Sequence, residues 1–446
     1  MGSMEGPLMG KIVTKFGGSS LADAQQFAKV KKILLMDGQR QYVVPSAPGR
    51  RFPEDDKVTD LLYQCHRLAA AGEDYQPAFD RIAARYMEIA EELGLKTDLG
   101  TALDEVNEKI AAGASADYCA SRGEYLNGRL LADDMGWRFV DAARAVRFDE
   151  NGAFQAEITN ELMAKCLEDG EPSVIPGFYG AKADGSVVTF SRGGSDITGA
   201  IVARAVGADV YENWTDVSGF LMADPRIVRE PREISAITYK ELRELSYMGA
   251  SVLHEDAMFP VHKAGIPTNI RNTNRPEHPG TIISIDLPHG DDQPTITGIA
   301  GHKGFTVISV EKAMMNNELG FGRRMLGVLE EFGISFEHLP TGIDTMCAVV
   351  SSEALAPCKD QVVSRIVEVT DPDTVTVHED MAIIATVGRG MVHNCGTAAR
   401  LFSAMSQAGI NVRMIDQGSS ELSIIVGVDD QDFEATIKAI YHAFVS

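Results

Sequence analysis

Short apolar strands alternate with amphipathic helical patterns through the N-terminal part of the chain, and this alternation restricts the possible folds more than any other feature. Residues 11–16 form an apolar run that leads directly into Gly17-Gly18-Ser19-Ser20 and then into a helical pattern over 21–36. Residues 41–45 and 58–71 repeat the arrangement, and strands such as 173–176 and 187–190 continue it. This order predicts a mainly parallel sheet with helices on both faces, whose ligands bind at the carboxyl ends of the strands.

The C-terminal part has a different pattern, which occurs twice. Residues 305–380 predict a complete βαββαβ unit, and residues 381–444 begin the same series again. Gly333-Ile334-Ser335 in the first unit corresponds to Gly409-Ile410-Asn411 in the second, 76 residues later. The second unit ends before its sixth element, whereas the apolar segment 295–300 precedes the first unit without a partner. We therefore expect 295–300 to complete the second unit, so that one unit is inserted in the other.

These patterns predict the domain boundaries. A Pro-, Gly- and Asp-rich stretch has the composition of a linker between the two parts of the chain. The expected divisions are a first domain at 9–286, the linker at 287–294, a small module at 304–380, and a second module made of 295–303 and 381–446.

Composition excludes several classes of partner. The formal net charge of −23 argues against nucleic acid or an anionic membrane, because both attract clusters of Lys and Arg. The apolar stretches are too short for a membrane span, and the first residues lack the apolar run of a signal peptide, so a cytoplasmic location is expected. The 6 cysteines include no Cys-x-x-Cys pair, which argues against a zinc site or a disulfide framework. Small molecules are the expected ligands.

A glycine turn after the first strand suits a polyphosphate. The backbone N–H groups of Gly17 and Gly18 can approach a phosphate closely, and the start of a helix adds partial positive charge. Lys15 supplies a full positive charge beside the turn. A tight turn with an incidental lysine is the alternative interpretation.

Further clusters at strand ends suit an amino acid and a nucleotide. Arg192 can hold a carboxylate with two parallel hydrogen bonds, and Asp196 can pair with an ammonium group or orient a lysine. A surface ion pair beside a helix cap is the alternative. Thr215-Asp216, with Arg226 behind it, can hold a ribose or a phosphate or merely cap a turn. Glu124 offers a second anion for an ammonium group, although a helix-capping carboxylate would look the same.

These clusters resemble, in order and spacing, the motifs of the aspartate kinase family over nearly the whole chain, from residue 11 to residue 444. The matching motifs are Lys15-Phe16-Gly17-Gly18-Ser19-Ser20, Ser46-Ala47, Gly123-Glu124, Arg192-Gly193-Gly194-Ser195-Asp196, Thr215-Asp216-Val217, Ala223-Asp224-Pro225-Arg226 and Val252-Leu253-His254. The resemblance implies an α/β/α sandwich with a mainly parallel sheet (the amino-acid-kinase fold), followed by two βαββαβ ACT-type modules, one inserted in the other. It also implies an enzyme that uses ATP with Mg²⁺ to phosphorylate the β-carboxylate of L-aspartate.

The resemblance assigns roles to individual residues of this chain. Lys15 and Asp196 are the implied catalytic residues. The residues implied to bind aspartate are Ser46, Thr59, Glu124, Arg192 and Ser195. The residues implied to bind the nucleotide are Lys15, Phe16, Gly17, Gly18, Ser19, Thr215, Asp216, Leu221, Arg226 and Ser251. Leu221, Ser218 and Ser251 replace a tyrosine, an aspartate and a lysine of other members, so the adenine pocket is expected to differ in detail.

The resemblance further implies regulation by an amino acid. The implied effector residues are Met315, Gly320, Ser335, Phe336 and Glu337. Glu337 can hold a side-chain ammonium, which favours L-lysine over L-threonine as the inhibitor. A homodimer through the ACT modules, possibly a tetramer, is also implied. Two alternatives remain open at this point: another phosphoryl acceptor, such as glutamate, an N-acetylated amino acid, carbamate or a nucleoside monophosphate, and a regulatory subunit that binds amino acids without turning them over.

Overall fold

The computed structural model of the chain describes residues 10–191, 193–249, 255–288 and 294–445. The predicted site residues Arg192 and Ser251 and residues 289–293 of the predicted linker lie outside these ranges. The strands before the linker are β1 Ile12–Phe16, β2 Arg40–Pro45, β3 Arg138–Phe139, β4 Ser173–Val174, β5 Tyr179–Ala181, β6 Val187–Thr189, β7 Val210–Thr215, β8 Phe220–Leu221, β9 Glu233–Ile234, β10 Ala236–Thr238, β11 Thr268–Asn272 and β12 Thr281–Ser284.

Helices separate most of these strands. They are α1 Ala24–Leu35, α2 Val58–Ala71, α3 Gln76–Leu93, α4 Leu99–Ala111, α5 Ala116–Met135, α6 Ala156–Cys166, α7 Gly194–Val206, α8 Tyr239–Tyr247 and α9 Phe259–Ala264. Helix α1 begins later than the sequence pattern predicts, because a 3-10 turn over Gly18–Leu21 comes first. Asp23 then caps the helix, since its side chain accepts a hydrogen bond of 2.9 Å from the Gln26 N–H.

The main sheet has the strand order β10-β12-β11-β7-β1-β2-β4-β3. Its neighbours pair in parallel except β11 and β12, which are antiparallel. Strand β1 lies in the interior between β2 and β7, so the residues that follow all three strands meet at one edge. The prediction of a mainly parallel sheet covered by helices is confirmed.

One predicted strand does not join this sheet. Residues 187–190 read as a further member of the alternating series, but β6 pairs antiparallel with β5 in a separate hairpin. The hairpin closes with a hydrogen bond of 2.9 Å from Lys182 N to the Ser186 carbonyl, and Gly185 has a φ of 87° that favours glycine. A short turn of this kind leaves no room for the crossover helix that a parallel neighbour requires.

The C-terminal part forms a six-stranded sheet with its own helices. The strands are β13 Gly298–Glu311, β14 Phe336–His338, β15 Thr345–Ser351, β16 Thr374–Val387, β17 Met414–Asp416 and β18 Ser423–Asp429. The helices are α10 Phe321–Glu331, α11 Ser352–Leu355, α12 Lys359–Thr370, α13 Thr397–Gln407 and α14 Phe433–Val445. The strand order is β14-β15-β13-β16-β18-β17, and the pairing is antiparallel throughout.

Two long strands join the two modules. The first half of β13 pairs with the second half of β16, from Gly298 with Val387 to Lys303 with Ala382. The second half of β13 pairs with β15 and with the start of β16. The segment before the first module therefore supplies a strand to the second, and the predicted insertion of one module in the other is confirmed. The sequence predicted separate strands here, whereas the structure has continuous ones with an irregular register next to Gly304.

The internal contacts divide the described residues into two compact units. The first contains residues 10–220, 235–239 and 255–287, with the main sheet. The second contains residues 221–234, 240–249, 288 and 294–445, with the six-stranded sheet. Two segments before residue 286 thus group with the C-terminal modules, and the predicted domain boundaries stay a prediction. Within the described ranges, no helix is both long and apolar enough to cross a bilayer.

Candidate active site

Lys15 and Asp196 form an ion pair at the end of strand β1. Lys15 is the penultimate residue of β1 and is only 8% exposed. Its Nζ atom lies 2.6 Å from Asp196 Oδ1. Asp196 lies in the first turn of α7, and the same oxygen accepts a hydrogen bond of 2.9 Å from Asn213 Nδ2. The structure therefore brings together the two predicted catalytic residues, and it fixes the lysine ammonium at the edge where the parallel strands end.

The glycine turn beyond Lys15 packs tightly against the loop that follows β2. A Cβ atom on Gly18 would lie 2.8 Å from the Ala47 carbonyl oxygen, and one on Gly49 would lie 2.6 Å from the Gly18 carbonyl carbon. The Gly49 N–H also donates a hydrogen bond of 2.8 Å to the Gly18 carbonyl. Only glycine fits at either position, so the two loops approach each other at backbone distance.

One donor of the glycine turn is used inside the protein. The Gly17 N–H donates a hydrogen bond of 3.0 Å to the Trp214 carbonyl, which corrects the expectation that both paired glycines present their N–H groups to a phosphate. The following 3-10 turn begins at Gly18, and the first N–H groups of a helical turn have no acceptor within the turn. Gly18 and Ser19 are therefore the positions whose N–H groups can face a phosphate.

Glu124 is a buried carboxylate with one open oxygen. It is 5% exposed, and its Oε1 atom accepts a hydrogen bond of 3.1 Å from the Ala47 N–H. Within the described part of the chain, its Oε2 atom has no hydrogen-bond partner. Burial, the largest cause, raises the pKa of Glu124 to about 8, while the Ala47 hydrogen bond and the nearby Lys15 ammonium act in the opposite direction. An open acceptor of this kind suits an ammonium group.

The end of β2 and the start of α2 lie beside Glu124 and its helix α5. Asn127, one turn after Glu124 on α5, donates a hydrogen bond of 2.7 Å to the Ser46 carbonyl. Gly123 lies against the same loop, since a Cβ atom there would be 2.8 Å from Ala47 Cβ and 3.7 Å from Thr59 Oγ1. Helix α5 therefore holds the predicted aspartate-binding residues Ser46 and Thr59 beside Glu124.

Ser195 precedes Asp196 in the first turn of α7. It is buried, and a Cβ atom on Gly177 would lie 2.7 Å from its Cα atom, so glycine is needed for this close approach. Arg192, which is predicted to bind a carboxylate of aspartate, lies outside the described residues, and its role stays a prediction.

Sequence comparisons identify the family. A sequence model of the amino acid kinase family matches residues 10–272, and an ACT domain model matches residues 384–444. Aspartokinase 3 of Bacillus subtilis is 40% identical over 449 residues, which cover 97% of this chain and 98% of that protein. The chain belongs to the aspartokinase family.

Solved structures of aspartokinases agree with the observed fold. The aspartate kinase of Clostridium acetobutylicum is 51% identical, with a TM-score of 0.91 and coverage of 98% of this chain and 100% of that one. Escherichia coli aspartokinase III in complex with lysine and aspartate is 24% identical, with a TM-score of 0.74 over 98% of this chain and 100% of that one, and shares the fold.

The predicted nucleotide residues of this aspartokinase lie in separate segments of the chain. Thr215 ends β7, and its hydroxyl donates a hydrogen bond of 3.2 Å to the exposed Asp216 carboxylate. Leu221 and Arg226 belong to the second unit, where Arg226 pairs with Asp224 at 2.6 Å and keeps a side chain that is 88% exposed. Ser251 lies outside the described residues. The nucleotide contacts of these residues stay predictions.

The predicted effector residues of the aspartokinase lie in the first C-terminal module. Met315 begins a 3-10 turn, and Gly320 precedes α10 with a φ of 78°. Ser335 and Phe336 are exposed at the start of β14, an edge strand. The Tyr247 hydroxyl donates a hydrogen bond to Glu337, which raises the pKa of Tyr247 to about 12. Glu337 therefore already holds one neutral donor in this structure.

Several residues that shape the site escaped sequence reasoning. Asn213 and Asn127 hydrogen-bond to Asp196 and to the Ser46 carbonyl, and each is a buried polar residue. Asn127 follows Glu124 by three residues, a spacing that puts both on one face of a helix, so this signal was present. Gly49 and Gly177 gave no local signal, because their contacts are with residues distant in the sequence.

Proposed function

We propose that this aspartokinase transfers the γ-phosphoryl group of ATP to the β-carboxylate of L-aspartate and forms 4-phospho-L-aspartate. The observation that carries the proposal is the Lys15–Asp196 pair, which fixes a buried ammonium beside the glycine turn on the same sheet edge as the open oxygen of Glu124. Such a product is the activated acid from which lysine, threonine and methionine synthesis can begin, and we propose this pathway role.

The reaction needs no general base in this site. The β-carboxylate of aspartate has an ordinary pKa of about 3.9, so it is already an ionised nucleophile at neutral pH. The obstacle is repulsion between this carboxylate and the polyphosphate. Lys15 lowers that repulsion with its ammonium, and the N–H groups of Gly18 and Ser19 orient the phosphate. Asp196 and Asn213 keep the lysine side chain in place.

Substrate selection follows from the two ends of aspartate. Glu124 receives the α-ammonium through its open oxygen, and Arg192, by its family role, binds the α-carboxylate. The rigid loop at Ser46 and the start of α2 at Thr59 limit the distance to the reacting carboxylate. Glutamate is one methylene longer and is expected to be a poor acceptor for this reason.

Mg²⁺ is the expected companion of ATP. The described residues contain no group of three or more His, Cys, Asp or Glu side chains arranged for a metal. Magnesium in kinases keeps several waters and binds through phosphates with one or two carboxylates. The exposed carboxylate of Asp216 suits that role, and the ion would neutralise phosphate charge.

A hydroxamate assay tests the proposed reaction. Purified chain is incubated with Mg²⁺-ATP, hydroxylamine and one acceptor, and both ADP and hydroxamate are measured. We expect hydroxamate with L-aspartate and none with L-glutamate, N-acetylglutamate or carbamate. Turnover with another acceptor would change the substrate assignment, and ADP release with no acceptor would favour a simple ATPase.

Regulation by L-lysine is the proposal for the C-terminal modules, with L-threonine as the alternative. The lysine-bound structure of the Escherichia coli relative supports it. The turn at Met315 and the segment before β14 border one core cluster, to which Met315, Phe321 and Ile334 contribute. Glu337 lies next to that segment and offers a carboxylate for the lysine side chain.

We expect Glu337→Gln to raise the lysine concentration for half-inhibition at least ~10-fold, because a hydrogen bond to a charged group contributes about 1.5–3 kcal/mol. Turnover without lysine should be unchanged. Glu353→Gln, an exposed acid in the same module, is the control. Equal inhibition of both variants would reject Glu337 as the effector carboxylate, and a parent enzyme that resists millimolar lysine and threonine would reject both effectors.

A homodimer through the first C-terminal module is the proposed assembly, with a tetramer as a larger alternative. Strand β14 is an edge strand, and the exposed side chains near it are unusually apolar: Met314, Leu319, Phe336 and Ile343. Sedimentation velocity tests this proposal, since a monomer at micromolar concentration would contradict it.

A further inference from the structure

Arg85, a residue in the middle of α3, is buried between the two loops that form the candidate active site. It is 6% exposed. Its Nη1 atom donates hydrogen bonds to the Gly49 carbonyl at 3.2 Å and to the Ala22 carbonyl at 3.4 Å. Its Nη2 atom lies 2.6 Å from Asp55 Oδ2. One guanidinium therefore contacts the end of the glycine turn, through Ala22, and the loop after β2, through Gly49 and Asp55.

Asp55 closes the second loop on itself. Its Oδ2 atom also accepts hydrogen bonds from the Arg51 N–H at 3.1 Å and from Arg51 Nε at 2.9 Å. Burial raises the pKa of Asp55, but the two arginines outweigh that effect and hold the pKa well below its usual range. Asp55 is thus an anion at neutral pH. It joins the last part of the 46–57 loop to Arg85.

The loop held in this way carries predicted substrate residues at both ends. Ser46 begins it, and Thr59 follows it in the first turn of α2. The Val58 N–H donates a hydrogen bond of 3.3 Å to the Pro48 carbonyl, so the two ends of the loop lie close together. Near its start, Gly49 touches Gly18 of the phosphate turn. A shift of this loop would therefore move the aspartate side and the phosphate side of the site relative to each other.

We infer that Arg85 is a positioning residue for phosphoryl transfer, which locks the glycine turn and the 46–57 loop into one geometry. A guanidinium is suited to this role because its planar fork reaches three acceptors in fixed directions, whereas a lysine ammonium does not. Arg85 itself touches neither substrate by this account. The expected loss of kcat rests on the proposed phosphoryl transfer. The expected loosening of the two loops does not.

Loss of this lock should lower kcat more than it affects binding. A displacement of about 1 Å between reacting groups can cost ~10²-fold in rate. We expect Arg85→Met to lower kcat per folded molecule by ~10²-fold, with KM changes for ATP and aspartate of about threefold or less. Arg85→Lys should keep the charge but recover only part of the rate. If Arg85 had only a structural role, Arg85→Met would lower the thermal midpoint of unfolding without lowering kcat selectively over KM.

Arg51→Met is the matched control. Its guanidinium also pairs with Asp55, at 2.9 Å, but its side chain is partly exposed and contacts neither loop carbonyl that Arg85 holds. We expect its kcat to stay within about threefold of the parent enzyme. The contrast separates loss of a cation beside Asp55 from loss of the contact between the loops.

Gly49→Ala tests the same loop contact without removing Arg85, in case the Arg85 variants fold poorly. The added Cβ atom would meet Gly18 at 2.6 Å and should push the two loops apart. Gly38→Ala is its control, because nothing lies within 4 Å of a Cβ atom there. We expect Gly49→Ala to lower kcat by ~10²-fold, as Arg85→Met does. Gly38→Ala should leave kcat unchanged.

Amide hydrogen exchange supplies a readout that does not depend on turnover. We expect faster exchange in residues 17–23 and 46–57 of Arg85→Met and Gly49→Ala, and unchanged exchange in residues 17–23 of both controls. Unchanged exchange in Arg85→Met, or a kcat within threefold of the parent, would overturn the inference. A parent enzyme without turnover would refute the proposed reaction instead, and the exchange result would still decide whether Arg85 locks the loops.

Discussion

Replacement of Lys15 by alanine is expected to lower kcat by about three orders of magnitude and to leave the aspartate KM within about threefold. A fixed charge aimed at developing negative charge in a buried site contributes ~10²–10³-fold, and here its removal also leaves Asp196 facing the phosphates without its cation. Steady-state kinetics with ATP and L-aspartate, after a check that the variant is folded, measure the effect.

Lys11→Ala is the control for this variant. Lys11 immediately precedes the same strand, is exposed, and donates its Nζ hydrogen bond to the Val206 carbonyl. Its replacement should leave kcat within about twofold. Turnover of Lys15→Ala within tenfold of the parent enzyme would show that the buried ammonium does not stabilise the transition state.

At a pH above the Glu124 pKa of about 8, where the carboxylate is ionised, Glu124→Gln is expected to raise the aspartate KM by ~10- to 100-fold with a small change in kcat. The glutamine keeps the shape of the side chain and loses the charge, and a charge-assisted hydrogen bond contributes about 1.5–3 kcal/mol. Glu108→Gln, at an exposed position on α4, is the control. A fall in kcat without a change in KM would place Glu124 at the reacting carboxylate instead of the ammonium.

The pH dependence provides a second test of Glu124. Only the ionised carboxylate attracts the substrate ammonium, so kcat/KM for aspartate should rise with pH and level off above the Glu124 pKa of about 8. Burial favours the neutral acid in the folded state, and the raised pKa therefore stabilises the free enzyme at low pH and ceases to do so as pH rises through about 8. Glu124→Gln should remove both dependences, which urea unfolding and kinetics between pH 6 and 9 can measure.

The sequence predicted those parts of the fold that depend on local pattern. The strand and helix alternation, the glycine turn after Phe16 and the insertion of one module in the other all follow from periodicity and from a repeat. The strand predicted at 187–190 was assigned to the wrong sheet, because a short strand pattern does not reveal its partner. The long strands β13 and β16 likewise depend on pairing between distant segments.

The same distinction between local pattern and distant contacts applies to the residues of the candidate site. Lys15, Asp196 and Glu124 could be predicted because they lie in motifs that resemble those of the family, although a tight turn, a surface ion pair or a helix cap would each explain one of them locally. Arg85 does not stand out, since an arginine on an amphipathic helix usually faces solvent. Its role depends on three acceptors from residues 22, 49 and 55, which only the folded chain brings together.

The most direct test of the central proposal is to identify which carboxylate receives the phosphoryl group. The product formed from Mg²⁺-ATP and L-aspartate is reduced with borohydride, which converts an acyl phosphate into an alcohol, and the amino acids are separated. Transfer to the β-carboxylate predicts homoserine as the reduction product, with one ADP released for each molecule formed. Reduction to 3-amino-4-hydroxybutanoate, or ADP release with neither alcohol, would contradict the account.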